Sequence, residues 1–478
     1  MAVGAVGGRR GGREDGDGVP PWLEASPRDP YGGRDCRPAS PEVRSAHRPE
    51  LLVFMAHGLG SSPEDLRYLK KCVYDVAGSA VLVHSSADNF VPNEVLRRAG
   101  RPFAPFVNTG REALATVIMR MAKETDALKR EGDGGGEGEG EGEGAGRGAA
   151  PDAPLQAVRD LDSEAAQASA AAAGSEAGTF GGIEESGERA ARELLEIARA
   201  YPSLARLTLV GNSLGGLFAR YIAARLYDPE RGTVAGLVPE DLVTIACPHL
   251  GTRSYAWQGA VPRRLHQLAA PALGRSGEEV LFLDDDGEEG GPLLLRMTQD
   301  QPRMPYRSAL QAFSRRTLYA NAWGDSLVPY ESAALQPDPS RVPRVRDDPR
   351  YQETVGIVLE EDVPAGSIPP PPPAHSGPDA PSPDPGSVLP VPTLEGHIAA
   401  NLTASMDWHR VVCQFPIRPL VSGPADGIFF PSAHNKICAN KRNAYYALTC
   451  HEGEEVMQHA ARRIAQRVAA PAGTDLTQ

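Results

Sequence analysis

The chain has little with which to build a disulfide or a metal site. Its six cysteines, Cys36, Cys72, Cys247, Cys413, Cys438 and Cys450, form no C-x-x-C pair and no zinc spacing, so reduced thiols inside a cell are expected. No apolar run approaches the ~18 residues of a membrane span, and no secretory core follows Met1. The start is Arg-rich, as in a transit peptide, but Glu14, Asp15 and Asp17 count against that reading. The cytoplasm is the compartment expected first, with plastid or mitochondrion as alternatives. Positive charge is also short. Against 62 Asp and Glu stand 49 Lys and Arg, a net charge of −13, which disfavours nucleic acid or an anionic membrane as an electrostatic partner. Phosphate loops of the G-x-x-x-x-G-K-[ST] type, H-E-x-x-H and EF-hand loops are missing, so neither a cofactor nor a metal is expected.

Glycine and proline, by contrast, are plentiful at 51 and 44, and unevenly spread. They mark residues 1–46 as a tail, 129–178 (with a Gly-Glu tract) and 335–392 (dense in Pro, Asp and Arg) as low-complexity inserts, and 471–478 as a second tail. Such segments bury too little apolar surface to offset the entropy of ordering them, so disorder is expected there. What remains within 47–470 is expected to be one α/β domain.

The most informative stretch is Val210-Gly211-Asn212-Ser213-Leu214-Gly215-Gly216. Leu207 to Val210 is an apolar run suited to a buried parallel strand, and Leu217, Phe218, Tyr221, Ile222 and Leu226 follow at helical spacing. Between them Gly211 and Gly215 flank Ser213 as G-x-S-x-G, the pattern of a nucleophile elbow, in which the turn is too tight for side chains beside the serine. A second strand-like run, Leu51 to Ala56, leads directly into His57-Gly58-Leu59-Gly60-Ser61-Ser62. In α/β-hydrolases one oxyanion donor is the backbone N–H after the nucleophile and the other lies in a glycine-rich loop behind an early strand. Leu214 and Leu59 would supply those donors, on a loop opened by His57 and Gly58.

Strands and helices alternate along the chain. After Leu51–Ala56 come a helix over Pro63–Tyr74, a strand over Ala80–His84 and a helix that Ser186 is placed to cap. Beyond the elbow lie strands at Leu242–Ala246 and Thr317–Ala322, then a helix over Glu454–Val468. Alternation of this kind predicts a mostly parallel central sheet with helices on both faces, the α/β-hydrolase fold, with its chemistry at the carboxyl ends of the strands.

A serine hydroxyl needs a base, and the base an acid that fixes its tautomer. The chain order in this fold is Ser, then Asp or Glu, then His, which disfavours His57 and His84. Asp325, in the turn Gly324-Asp325-Ser326 past a strand, is the best acid, with Asp284, Asp285 and Asp286 as alternatives that look like a solvated loop. His434, in a loop before the last helix, is the best base, and His451 is the runner-up.

The segments Phe54–Ser61 (FMAHGLGS), Thr179–Arg189 (TFGGIEESGER), Val210–Tyr221 (VGNSLGGLFARY), Thr244–Gly251 (TIACPHLG) and Ala433–Ile437 (AHNKI) together resemble the Rog-type, lipase-like serine esterases among the α/β-hydrolases. Phe282–Met297 and Ala320–Tyr330 fit as well. The resemblance implies an intracellular lipase or esterase with a Ser-Asp-His triad, carried here by Ser213, Asp325 and His434. Two departures stand out: Asn212, where many members have His, and the long insert between Asn89 and Gly178.

Leu59, Leu214, Leu217 and Phe218 are expected to put apolar side chains near the serine as a pocket, and no Arg or Lys cluster adjoins the motifs; Arg220 is expected to pair structurally. A lipid acyl ester is therefore the expected substrate, with peripheral contact to a membrane or lipid droplet. A catalytically silent binding scaffold and an acyltransferase with the same triad are the competing readings.

Overall fold

The computed structural model describes residues 48–87, 89, 178–253, 273–284, 291–325, 327–343, 345, 348–351, 354–371, 393–415, 433–441 and 444–469. The tails expected at 1–46 and 471–478, and the inserts over 129–177 and 372–392, lie outside the described residues.

Seven strands form one sheet. They are β1 (Leu51–Ala56), β2 (Val81–Ser85), β3 (Arg206–Asn212), β4 (Val238–Ile245), β5 (Arg315–Asn321), β6 (Gly356–Val363) and β7 (Trp408–Gln414). Their order is β6-β7-β5-β4-β3-β1-β2. Every neighbouring pair is parallel except β6 with β7. The longer helices are α1 (Arg67–Ala77), α2 (Ile183–Ala200), α3 (Gly215–Arg225), α4 (Thr393–Thr403) and α5 (Glu454–Ala469).

The period of two in the strands decides which helices cover which face. In β1 the side chains of Leu52, Phe54 and Ala56 join one apolar cluster with Leu194 of α2, Phe218 of α3 and Ile398 of α4. Leu51, Val53 and Met55 point the other way, into a cluster with Leu69 and Val73 of α1 and Met457 and Ile464 of α5. With both faces covered, β1 is buried at all of its positions, which is why it reads as a continuous apolar run rather than an alternation. This is the α/β-hydrolase architecture. Among the described residues no helix is long and apolar enough to cross a membrane.

The chain leaves β1 toward one edge, to β2, and returns as β3 on the opposite side of β1. That reversal makes a switch point beyond the carboxyl ends of β1 and β3, the place where open parallel sheets bind their ligands. The loop after β1 and the elbow after β3 flank it.

Three expectations are corrected. Ser186 does not cap α2: the helix begins at Ile183, and Ser186 lies buried inside it, donating to the carbonyl of Gly178. The first turn takes its hydrogen bonds from tertiary neighbours instead, since Gly182 N–H donates to Ser276 Oγ and Ile183 N–H to Glu279. The helix expected over Pro63–Tyr74 is a 3-10 turn, Pro63–Leu66, followed by α1. Finally, the segment 335–392 supplies β6, the edge strand, and is not insert throughout. Its acidic run is matched across the antiparallel pair, Glu361 opposite Arg410 and Asp362 opposite His409, so charge that reads as loop is paired in a sheet.

Position in the sheet sets the cost of truncation. Phe54→Ala on β1 should lower stability by about 3–5 kcal/mol, against about 1 kcal/mol for Leu359→Ala on the half-exposed edge strand. Urea unfolding midpoints at constant slope check the difference; equal losses would mean the core is not centred on β1.

Candidate active site

Ser213 sits at the apex between β3 and α3 with φ of 54°, a left-handed conformation rare for a residue with a side chain. That backbone costs roughly 1–2 kcal/mol and persists only where neighbours impose it. Here Ser213 N–H donates to Ile245 O of β4 at 2.7 Å, and Gly216 N–H donates to Ser213 O at 3.0 Å. The turn holds the serine partly exposed while Gly211, Asn212 and Leu214 around it are buried.

The glycines follow from contact. A Cβ on Gly215 would lie 2.1 Å from the carbonyl oxygen of Ala56, so only glycine lets α3 start this close to the end of β1. A Cβ on Gly58 would lie 2.6 Å from Ser213 Cβ and 3.1 Å from its Oγ. The backbone of the loop after β1 is therefore laid directly against the serine. Among the described residues, no acceptor meets the backbone N–H of Leu59 or of Leu214, the two expected oxyanion donors. His57 is buried, its Nδ1 lies 3.2 Å from Gly58 O, and burial lowers its pKa.

Asp325 follows β5, with its side chain almost wholly enclosed. Its Oδ1 accepts from Leu327 N–H at 3.0 Å and Val328 N–H at 2.9 Å, and its Oδ2 from Asn321 Nδ2 at 2.8 Å. The same Oδ2 meets His434 Nδ1 at 2.9 Å. His434 occupies the short helix Ala433–Lys436, whose first residue donates its N–H to Gly324 O at 3.4 Å. The Asp325 turn and the His434 turn are thus tied through backbone as well as side chain. With Nδ1 donating to the carboxylate, the neutral imidazole leaves its Nε2 lone pair available, as a base requires.

Burial pushes the His434 pKa down, but the charge and hydrogen bond of Asp325, with a further contribution from Asp65, outweigh it, and the net shift is upward.

The structure brings Asp325 and His434 together, and it brings Ser213 against the loop carrying Gly58 and Leu59. No hydrogen bond joins Ser213 to His434 among the described residues; in free enzymes such contacts are often long and tighten with substrate. Ser213 and Asp325 stand at the ends of strands separated by β4, a span of about 10 Å at normal strand spacing. A histidine held by the aspartate is the side chain suited to reach across it.

The remaining candidates are engaged elsewhere. Exposed His451 meets Leu448 O through Nδ1, His409 lies between Glu360 and Asp362, and His84 meets Glu193 at 2.7 Å. Asp284, expected in a solvated loop, is buried and accepts from Leu293 N–H at 2.8 Å; Asp285 and Asp286 lie outside the described residues. Arg220 is wholly buried and donates to the carbonyl of Met297 at 3.0 Å; burial lowers its pKa to about 10. Leu214, Leu217 and Phe218 belong to the core beneath the elbow, and Leu59 is partly buried against it. Two surface clefts, one bounded by Pro343, Arg350 and Tyr351 and the other by Glu184, Arg192 and Tyr221, do not include Ser213. Asn321, which orients Asp325, was not singled out from sequence; its signal is a polar residue ending a strand just before the acid.

Residues 156–336 match the family model described as "Putative serine esterase (DUF676)". That segment holds Ser213 and Asp325, whereas the loop after β1 and His434 fall outside it. The chain is 33% identical over 135 residues to "Putative lipase ROG1" of Saccharomyces cerevisiae, covering 28% of this chain and 18% of that protein. It is 26% identical over 162 residues to "Putative lipase C4A8.10" of Schizosaccharomyces pombe, covering 32% and 20%. A second S. cerevisiae protein, "Putative lipase YDR444W", is 30% identical over 148 residues, covering 27% and 20%. The aligned part spans about a fifth of the length of these relatives. The resemblance read from the motifs is met over the segment that carries the elbow.

The raised pKa has a sign that can be checked. A histidine held above its unfolded value of about 6.5 contributes stability that is fully present below that pH and is lost as pH rises through the folded pKa. Asp325→Asn removes the main upward influences and leaves burial dominant, so the folded pKa should fall below the unfolded one and the slope should reverse. NMR titration of the His434 ring in both proteins is the measurement; an unchanged midpoint would mean that the pair is not coupled.

Proposed function

We propose that the chain is a serine-dependent carboxylic ester hydrolase acting on lipid acyl esters. The observation that carries this reading is Ser213 held at positive φ between β3 and α3, beside a glycine-rich loop and within one sheet edge of the Asp325–His434 pair. The likeness to the serine esterase family over residues 156–336 supports the reaction class.

In this mechanism His434 Nε2 takes the proton of Ser213 Oγ as that oxygen attacks the ester carbonyl carbon. The imidazolium is stabilised by Asp325, which stays ionised and keeps the ring in one tautomer. The carbonyl oxygen becomes an oxyanion, and the N–H groups of Leu59 and Leu214 donate to it. Leu214 also heads α3, so the positive end of the helix adds to the field at that point. His434 then returns the proton to the departing alkoxide, leaving an acyl-serine. Water, deprotonated by His434, attacks that acyl carbon; as the bond to Oγ breaks, the imidazolium returns the proton to Ser213 and the acid is released.

The strain at Ser213 suits this role. A left-handed serine projects its Oγ out of the tight turn instead of packing it along the sheet, so the backbone itself presents the nucleophile.

Preference for lipid is the finer part of the proposal. It draws on the relatives, whose names describe lipases, and not on Leu214, Leu217 and Phe218, which the core has already claimed. Each buried methylene of an acyl chain is worth about 0.8 kcal/mol, so a pocket that takes the chain will raise kcat/KM with its length.

Ser213→Ala should abolish labelling by a fluorophosphonate and reduce turnover of a p-nitrophenyl ester by several orders of magnitude with the fold retained, the residue of activity coming from the oxyanion donors. Near-normal turnover in that variant would overturn the nucleophile assignment. Across p-nitrophenyl esters from two to eight carbons, kcat/KM should rise. A maximum at acetate would keep the esterase and remove the lipid substrate, and acyl transfer to an added alcohol in preference to water would make the enzyme a transferase.

A further inference from the structure

We propose that Thr179 is a positioning residue for the oxyanion loop, acting through the peptide between Leu59 and Gly60. The inference rests on the reading of Leu59 N–H as an oxyanion donor.

The loop is a tight turn. Ser61 N–H donates to Gly58 O at 3.2 Å, and Gly60, in the third position, has φ of 58°. In turns of this shape the central peptide is the soft element: types I and II differ by turning it over, and glycine in the third position tolerates both. Turning it over would reverse Gly60 N–H and Leu59 C=O and break any bond made to that amide, freeing the turn, and the Leu59 amide with it, to shift. Here the central peptide is fixed by a single side chain from far along the sequence, as Gly60 N–H donates to Thr179 Oγ1 at 2.8 Å.

Thr179 is itself anchored. It is 2% exposed, and its carbonyl accepts from Ser276 Oγ at 2.7 Å. Ser276 Oγ accepts in turn from Gly182 N–H at 3.0 Å, at the start of α2, while Glu279 accepts from Ile183 N–H at 2.7 Å. The hydroxyl that holds the loop is therefore part of a joint between α2 and the helical segment 273–280, and moves with neither alone.

On the other side of Leu59, Gly58 O faces the Ser61 amide and His57 Nδ1. Across a trans peptide the N–H points opposite to the carbonyl, so Leu59 N–H is directed away from those groups. Both peptides bordering the donor are held, one within the loop and one by Thr179. Since Gly58 is in contact with Ser213, a reorientation of this turn is felt at the serine. Thr179 touches no reacting atom in this scheme; it keeps the donor where the oxyanion forms.

The test uses the full chain with Thr179→Val, which keeps the shape and removes the acceptor, and Thr179→Ser, which keeps the acceptor. Kinetics with p-nitrophenyl butyrate and inhibition by an alkyl boronic acid, a mimic of the tetrahedral adduct, are measured beside Ser213→Ala. The valine variant should lose about tenfold or more in kcat with KM within about twofold, less than the loss on deleting a donor outright. Its boronate inhibition constant should rise by a similar factor, its pH–rate midpoint should stay in place, and serine should restore activity to within about threefold. If Thr179→Val fails to fold by circular dichroism, Thr179→Ala is read by the same criteria. Unchanged kcat and boronate affinity, or a serine variant as impaired as valine, would overturn the inference. An inert Ser213→Ala with a fully active Thr179→Val would defeat this proposal alone; an active Ser213→Ala would defeat the functional reading beneath it.

Discussion

The contact between the end of β1 and the start of α3 governs the rest of the molecule. Two backbone segments approach so closely there that neither Gly58 nor Gly215 has room for a side chain. The approach is possible because β1 and β3 are adjacent parallel strands whose registers keep Ala56 level with Gly211. Everything that the site needs on this side, the serine and both expected donors, is thereby main chain or one atom removed from it. Position set by main chain is insensitive to rotamer changes, which suits groups that must meet a developing charge without rearranging.

The other half of the site is built differently. Asp325 and His434 are joined by side chains, but each carboxylate oxygen of Asp325 has other donors: backbone amides on Oδ1 and Asn321 on Oδ2. A carboxylate so supplied keeps its orientation even when the imidazole turns, and so holds the ring instead of following it. The two halves are carried on strands separated by β4, and the packed faces of the sheet fix their spacing. Helices α2 and α3 on one face and α1 and α5 on the other therefore serve the chemistry by holding a distance.

Much of this was legible in the sequence because the relevant constraints are local. A buried parallel strand, a glycine on each side of a serine and an apolar helical stripe leave a pattern within a few residues, and the strand, the turn at Ser213 and the helix lie where that pattern put them. What escaped was set by partners remote in the chain. Strand β7 reads poorly because His409 and Arg410 interrupt it, and they are accommodated by the acidic residues of β6 across the ladder and, for Arg410, by the carbonyl of Ala334. The start of α2 was misplaced at Ser186 because its first amides are satisfied by Ser276 and Glu279, nearly a hundred residues away, and no local cap was needed. The leucines beside Ser213 were taken for pocket lining because helical periodicity shows that a face is buried but not what buries it. Asn321 carries no motif of its own, and Thr179 opens one without its role being legible there; each is a single polar side chain whose meaning is its partner.

Asn212 shows why a departure from a family pattern can leave the chemistry untouched. The residue before the elbow serine ends β3, where successive side chains alternate between faces, so its side chain and that of Ser213 are not forced to one side. Asn212 is buried and its amide donates to Ile245 O on β4 at 3.4 Å, the same carbonyl that accepts the Ser213 N–H. Its side-chain hydrogen bond is to the neighbouring strand, on the side of the sheet's own hydrogen bonding. A histidine in this place would also carry a ring N–H able to meet a carbonyl. The position thus asks for a buried donor that ties the elbow to β4, and asparagine meets that requirement with a shorter side chain. The exchange falls on the anchoring of the strained turn, while the conformation of Ser213 itself is held by the backbone bond to Ile245 that both residues would leave in place.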